Sequence, residues 1–211
     1  SEQECLAAIN TGADAVPESS DLLLIGEMGV GNTTAAAALA GSVHGGNGEG
    51  WVGPGTGVAG GVLANKIRVV DRALELHHQT TRDPLQALRF LGGRELAAIF
   101  GALLEAGPRS LRVLLDGFVV AAAAAVLARL CRGGLDHCLA GHVSAEPGHR
   151  RLLEALGKTA LLDLGMRLGE ASGAAVAIGI LRAAVACHAG MATFSEAGVG
   201  GRGQGRERPG M

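Results

Sequence analysis

Three short apolar runs constrain the fold most: "LLLIG" at 22–26, "RVLLDG" at 112–117 and "HCLAG" at 137–141, each closing on a glycine. Helical patterns lie around and between them, over 33–41, 62–80, 84–106 with a break at Gly92-Gly93, 118–131 and 147–156. Runs too short for helices, alternating with helical segments, predict a parallel β-sheet with helices on both faces. Ligands of such sheets gather at the carboxyl ends of the strands. Glu27, Asp116-Gly117 and Gly141-His142 fall at those ends, so the pattern already assembles a candidate site.

The first strand end, "LLLIGEMGVGNTTAAAALAG" at 22–41, reads as strand, glycine turn and helix start. A turn of this kind offers free backbone N–H groups to an anion. The spacing of Gly26, Gly29 and Gly31 is neither GxGxxG nor a P-loop, because no GK[ST] closes it. The dinucleotide fingerprint is therefore absent, which makes a nicotinamide-dependent dehydrogenase the weakest of the readings. Two readings remain, a tightly packed corner and an anion site, and the carboxylate of Glu27 inside the turn sits awkwardly with the second.

The chain's 211 residues suffice for one large α/β domain or a domain with an appendage. Its 35 glycines are dispersed between apolar runs rather than gathered in a linker, which suits many strand-to-helix corners. A net charge of -2 with 2% aromatic residues supplies no basic surface with stacking rings, so nucleic acid is not an expected partner. Cys5, Cys131, Cys138 and Cys187 form no CxxC pair, which points to reduced thiols and a cytoplasmic location. The longest uninterrupted apolar run, Phe118 to Ala128, falls short of the roughly 20 residues a bilayer needs, so a soluble protein without a membrane partner is expected. The start at Ser1, inside what reads as a helix, suggests a fragment or a processed form. The tail from Gly198 lacks apolar periodicity and is expected to be disordered or loosely attached.

Other candidates are scattered along the chain. The stretch from Gly45 to Gly61 carries glycine at about every second position, and a loop of that length is usually functional or mobile. Lys66 lies early in the next helix, on the edge of its apolar face. A cation near a helix N-terminus calls for an anionic partner, which a bound phosphate, Glu27 or both would supply. Glu170 precedes a helix expected from about Ser172 to His188, where a carboxylate either complements the dipole or acts as a base. Gly169 and Gly173 beside it leave room for close approach. In "GHVSAEPGH" at 141–149, Pro147 suits a first helical position and Ser144 is either a turn hydroxyl or an anion donor. His142 and His149 lack a third ligand at zinc spacing, and no GxSxG elbow occurs, so neither a metal centre nor a serine hydrolase is expected.

Taken together, "GEMGVGNTTAAAAL", "GPGTGV", "LDGFVVAAAA", "GHVSAEPGH", "LLDLGMRLGEASGAA" and "MATFSEAGV", in that order, closely resemble the nicotinate-nucleotide:dimethylbenzimidazole phosphoribosyltransferases of cobalamin biosynthesis. The resemblance covers roughly residues 1 to 199. It implies a doubly wound, Rossmann-like parallel sheet with a smaller helical domain, usually in a homodimer. The implied substrates are nicotinate mononucleotide and a benzimidazole base, with no metal and no organic cofactor. By motif match Glu170 takes the place of the catalytic base, and Glu27 and Lys66 match the acidic and basic residues of the family's active site. The implied substrate-binding positions are Met28, Gly29, Gly31, Asn32, Gly55, Thr56, Gly57, Asp116, Gly117, Phe118, Ser144 and Leu168. On this resemblance Lys66 balances the phosphate, while Glu27 faces ribose or ring nitrogens.

Two positions depart from the pattern: Val143 stands where an arginine is common, and Ala171 where a glycine is usual. The expected organisation is a nucleotide-binding domain over 1–165, truncated at its N-terminus, a helical part over 166–199 carrying the base, and a disordered tail over 200–211. The chain resembles the later three-fifths of a complete enzyme, so the expected small domain is partly missing. The alternative to catalysis is a fragment that binds nicotinate mononucleotide without turning it over.

Overall fold

The computed structural model describes residues 1–55 and 57–199. The expected disordered tail, 200–211, and Thr56 lie outside the described residues. The chain divides into two compact units, Ser1–Ala177 and Ile178–Met211. The first contains a four-stranded, fully parallel sheet with strands β1 (Leu22–Ile25), β2 (Arg112–Leu115), β3 (Cys138–His142) and β4 (Ala160–Leu162), side by side in chain order. The pairings Ile25↔Leu115, Leu115↔Ala140 and His142↔Leu162 bring the carboxyl ends of the strands to one edge. The expected parallel α/β architecture is the one the chain forms.

The helices in chain order are α1 (Glu2–Asp14), α2 (Asn32–His44), α3 (Gly48–Trp51), α4 (Gly60–His77), α5 (Pro84–Ala87), α6 (Gly93–Ala106), α7 (Phe118–Leu130), α8 (Pro147–Ala155) and α9 (Ser172–Gly190). The core is built on alanine. Residues Ala36 to Ala40 of α2 and Phe118 to Leu127 of α7 are all buried, and α2 packs against α7. Short side chains let these backbones approach closely, and the tight packing regains in dispersion what each residue lacks in apolar area. Val113 and Leu115 of β2 point into this core at the two-residue period of a strand. At the α1–α6 crossing, side chains at Gly12 and Gly101 would overlap the backbone of Ala98 and Ile9, so both positions need glycine.

Several boundaries differ from the sequence reading. The glycine-rich stretch at 45–61 is interrupted by the single turn α3, and α4 begins at Gly60 rather than Val62. Trp51 anchors the stretch: it is buried, its Nε1 donates to the Gly45 carbonyl at 2.9 Å, and the Arg151 guanidinium lies 4.2 Å over its ring. The helix expected over 84–106 is α5, a π-turn over Leu88–Gly92 and then α6. Gly93, at φ 78°, supplies the left-handed residue where the helix breaks. Strand β4 escaped the sequence reading because three half-buried residues carry too little apolar signal.

In the first unit, α9 begins directly over the strand ends. A side chain at Gly26 would overlap the backbone of Ala171, and one at Gly141 would stand 2.9 Å from the Cα of Ala174. By length and composition α9 could cross a bilayer, which the search for uninterrupted runs missed because Arg182 and His188 punctuate it. Its first turn is tied to a carboxylate inside the first unit, as the Ala174 N–H donates to Asp116 Oδ1 at 2.9 Å. The second unit continues the helix to Gly190 and then makes a turn in which the Thr193 N–H donates to Glu196 at 2.7 Å.

Candidate active site

A cavity of about 450 Å³ opens at the carboxyl edge of the sheet, within the size range of small-molecule sites. Its wall is made of the glycine turn after β1, Gly55, the start of α7, the segment after β3 and residues 167–170. Two helices of 13 residues, α2 and α7, start here on Gly31 and Gly117, and neither has a side-chain cap. Their first-turn N–H groups and the positive ends of their dipoles are therefore available to an anion. Gly31 adopts φ 82°, a left-handed turn that few other residues tolerate.

Beside this wall the Lys66 ammonium donates to Thr33 Oγ1 at 2.9 Å and to the Gly53 carbonyl at 2.8 Å. Burial lowers its proton affinity, while the charge of Glu146 acts the other way. Glu27 is thus not the partner of Lys66, contrary to one of the sequence expectations; the nearby carboxylate is Glu146. Glu146 accepts the Gly55 N–H on Oε1 at 2.8 Å, which ties the glycine stretch to the start of α8. Gly55, at φ 56°, presents its backbone at this junction.

A second group of residues gathers around Glu27. The Glu170 N–H donates to the Glu27 carbonyl at 3.0 Å. Asn32 Nδ2 donates to the Glu27 carboxylate and, at 3.1 Å, to Glu95. Burial raises the proton affinity of Glu27, the Asn32 hydrogen bond lowers it, and the charges of Glu95, Asp116 and Glu170 raise it again. The space that Gly169 leaves is filled by the Glu27 carboxylate and that of Gly173 by the His142 ring. These glycines therefore serve packing against neighbours rather than open access to Glu170, whose own exposure provides that access. Glu170 and Ala171 both have φ 58°, the left-handed region in which a Cβ is strained.

Beneath the cavity lies a buried polar layer. Positions 142, 144 and 146, at the end of β3 and in the segment that follows it, alternate inward, placing His142, Ser144 and Glu146 in the wall. The Ser144 N–H donates to His149 Nδ1 at 2.9 Å, so that nitrogen carries no proton and the imidazole is neutral. Burial, reinforced by His142, pushes His149 down to about 3. His142 Nε2 lies 3.5 Å from Asp116 Oδ1, and burial lowers its proton affinity against the pull of Asp116. The Ser144 hydroxyl is buried without a hydrogen-bond partner among the described residues.

Of the residues singled out in the sequence, Glu27, Met28, Gly29, Asn32, Gly55, Gly117, Phe118, Ser144, Leu168 and Glu170 meet in this one cavity. Lys66 reaches it through Thr33, and Asp116 lies behind its wall holding the first turn of α9. Gly31 and Gly57 are off the wall. His142, placed at a strand end by the sequence pattern, and Gly169, named beside Glu170, also line the cavity, whereas the sequence reading missed Val30, Thr33, Val119 and Arg167 and gave no site role to Glu146 or Glu95. The alternation at 142, 144 and 146 was the available signal for Glu146. Among the described residues no group of three His, Cys, Asp or Glu side chains is arranged to hold a metal ion.

Residues 1–199 match a family model described as Phosphoribosyltransferase. A nicotinate-nucleotide–dimethylbenzimidazole phosphoribosyltransferase of Rhizobium etli (strain CIAT 652) is 55% identical over 202 residues, covering 96% of this chain and 60% of that protein. The protein of the same name from Rhizobium meliloti (strain 1021) is 56% identical over 199 residues, covering 94% of this chain and 59% of that protein. In three dimensions the chain is similar to CobT from Thermus thermophilus, with a TM-score of 0.86 and 46% identity, covering 96% of this chain and 60% of that one. The chain thus spans about three-fifths of the length of these relatives. With a family match along nearly the whole of its length, the chain belongs to the nicotinate-nucleotide–dimethylbenzimidazole phosphoribosyltransferase family.

Proposed function

We propose that this chain carries the mononucleotide site and the proton acceptor of an enzyme of cobalamin nucleotide-loop assembly. The reaction converts nicotinate mononucleotide and 5,6-dimethylbenzimidazole to α-ribazole 5'-phosphate and nicotinate. One observation carries this reading: a single cavity combines two uncapped helix N-termini, near Lys66, with the paired backbones of Glu27 and Glu170. The first set suits a phosphate. The second suits proton transfer. In functional terms the chain divides at 165–166, with the mononucleotide site before that point and Glu170 after it.

The chemistry asks for little more. One benzimidazole nitrogen attacks the anomeric carbon of the ribose as the bond from that carbon to the pyridinium nitrogen breaks. Nicotinate leaves with a neutral ring nitrogen and needs no acid. The attacking base becomes cationic and loses the proton on its other nitrogen, which Glu170 accepts. Glu27, with its raised proton affinity, lies where it can hydrogen-bond the ribose or a ring. Lys66 and the helix N-termini hold the phosphate away from both carboxylates, since direct contact would be repulsive.

A second reading, binding without transfer, draws support from the exposure of Met28 and Leu168 beside the cavity, at 79% and 68%. Apolar side chains this open are what an acceptor pocket without its full cover would show. Titration calorimetry with nicotinate mononucleotide, its riboside and inorganic phosphate tests the site, and chromatography of a reaction with the benzimidazole tests turnover. The mononucleotide should bind more tightly than the riboside and compete with phosphate; equal affinity for riboside and mononucleotide would remove the phosphate site. Binding without α-ribazole phosphate would select the second reading.

A further inference from the structure

We propose that Glu95, on α6, is a positioning residue that holds the Glu27 carboxylate in place through Asn32 and the glycine turn. The Glu95 carboxylate spans two partners: Oε1 accepts the Met28 N–H at 3.1 Å, and Oε2 accepts from Asn32 Nδ2 at 3.1 Å. The same Asn32 amide donates to the Glu27 carboxylate. One amide is thus shared between two carboxylates, one of them in the cavity and one behind it. A Cβ at Gly29 would stand 2.6 Å from Glu95 Oε2, so glycine at this position is what lets the carboxylate close on the turn. Nothing in the local sequence of α6 marks Glu95, which otherwise reads as an acidic residue in a helix's first turn.

The arrangement acts in two ways. Geometrically, it fixes the backbone at Met28 and the side chain of Asn32, the two features that leave Glu27 one orientation. Electrostatically, the groups acting on Glu27 come from four elements: Glu95 on α6, Asp116 after β2, Glu170 before α9 and the Asn32 amide on α2. Arg167 is the cationic side chain in the wall of the same cavity. Glu95 raises the proton affinity of Glu27 by charge, and Asn32 lowers it by donating to the ionised form. A merely structural clamp would produce neither effect.

The test follows the Glu27 carboxyl directly. In protein labelled with 13C at the glutamate Cδ, the Glu27 resonance is assigned by its loss in E27Q and titrated in the full chain without ligand. In E95Q the Glu27 titration should move to lower pH, because a like charge is removed. In N32A it should move to higher pH, because a donor to the carboxylate is removed. Opposite movements in the two variants support the proposal. An unmoved Glu27 in a folded E95Q overturns it, and if E95Q does not fold, an unmoved Glu27 in N32A overturns it equally. The proposal rests on Glu27 belonging to the reacting site, but its readout needs no substrate. Opposite movements in a chain that fails to bind nicotinate mononucleotide would keep the Glu95 assignment and reject the phosphoribosyl reading.

Discussion

Glu170 and Glu27 are joined backbone to backbone, the N–H of the first donating to the carbonyl of the second at 3.0 Å. One residue follows β1 and the other precedes α9, so this bond fastens two distant stretches across the carboxyl edge of the sheet. Its consequence is electrostatic as well as structural. Two glutamate side chains start from a shared anchor, and the charge of Glu170 contributes to the raised proton affinity of Glu27.

If Glu170 takes the benzimidazole proton, Glu170→Gln keeps the backbone bond and the side-chain size but removes the base. Turnover by an active preparation should fall by about 10² to 10⁴, the usual worth of general acid–base catalysis. Mononucleotide affinity, read by calorimetry, should hardly move. A variant that keeps its rate and loses only a little thermal stability would return Glu170 to the role of a dipole complement.

Lys66→Met keeps most of the aliphatic stem and removes the ammonium that bonds Thr33 and Gly53. The loss of one charge-assisted contact should weaken mononucleotide binding by about 1.5 to 3 kcal/mol, or roughly ten- to a hundredfold. The gap between parent and variant should narrow as salt rises, because the lost part is charge. Unchanged affinity at low salt would take Lys66 out of the phosphate site.

Ala171 adopts φ 58° with a methyl group in place. Ala171→Gly relieves a left-handed strain of about 1 to 2 kcal/mol. It also adds unfolded-chain entropy, at a cost of about 0.4 to 1 kcal/mol. The variant should therefore be as stable as the parent or up to about 1.6 kcal/mol more stable, measured by urea unfolding. A marked loss of stability would mean that the methyl, which packs beside Gly26, matters more than the strain.

His149 makes stability depend on pH with a definite sign. Its folded value is depressed to about 3 from an ordinary 6.5, so below 6.5 the unfolded chain binds the proton and the native state does not. The stabilisation is whole above about pH 6.5 and is lost as pH falls towards about 3. His149→Asn, whose amide oxygen can still accept the Ser144 N–H, should flatten this dependence by about 2 kcal/mol between pH 7 and pH 5. Parallel urea melts at the two pH values check it, and an unchanged slope would show that other groups carry the acid sensitivity.

Much of this protein was determined by short-range signals in its sequence. The runs ending at Gly26, Gly117 and Gly141 fixed strands, turns and helix starts, because strand period, glycine turns and helix onset are decided within a few residues. The parallel sheet and the gathering of Glu27, Gly117 and His142 at its carboxyl edge followed from that alternation. Strand β4 was hidden because pairing with β3, not its own three residues, makes it a strand. Tertiary structure alone decided the contacts around the site. Glu95 meets Met28 across 67 positions and Glu146 meets Gly55 across 91, and no local pattern encodes either hydrogen bond. It also decided that Lys66 is balanced by Thr33, Gly53 and Glu146 rather than Glu27, and that Gly169 and Gly173 make room for Glu27 and His142. A helix or strand is chosen by neighbours in the chain, whereas a side chain's partner and its burial are chosen by packing between elements, which exists only once the sheet has brought them together.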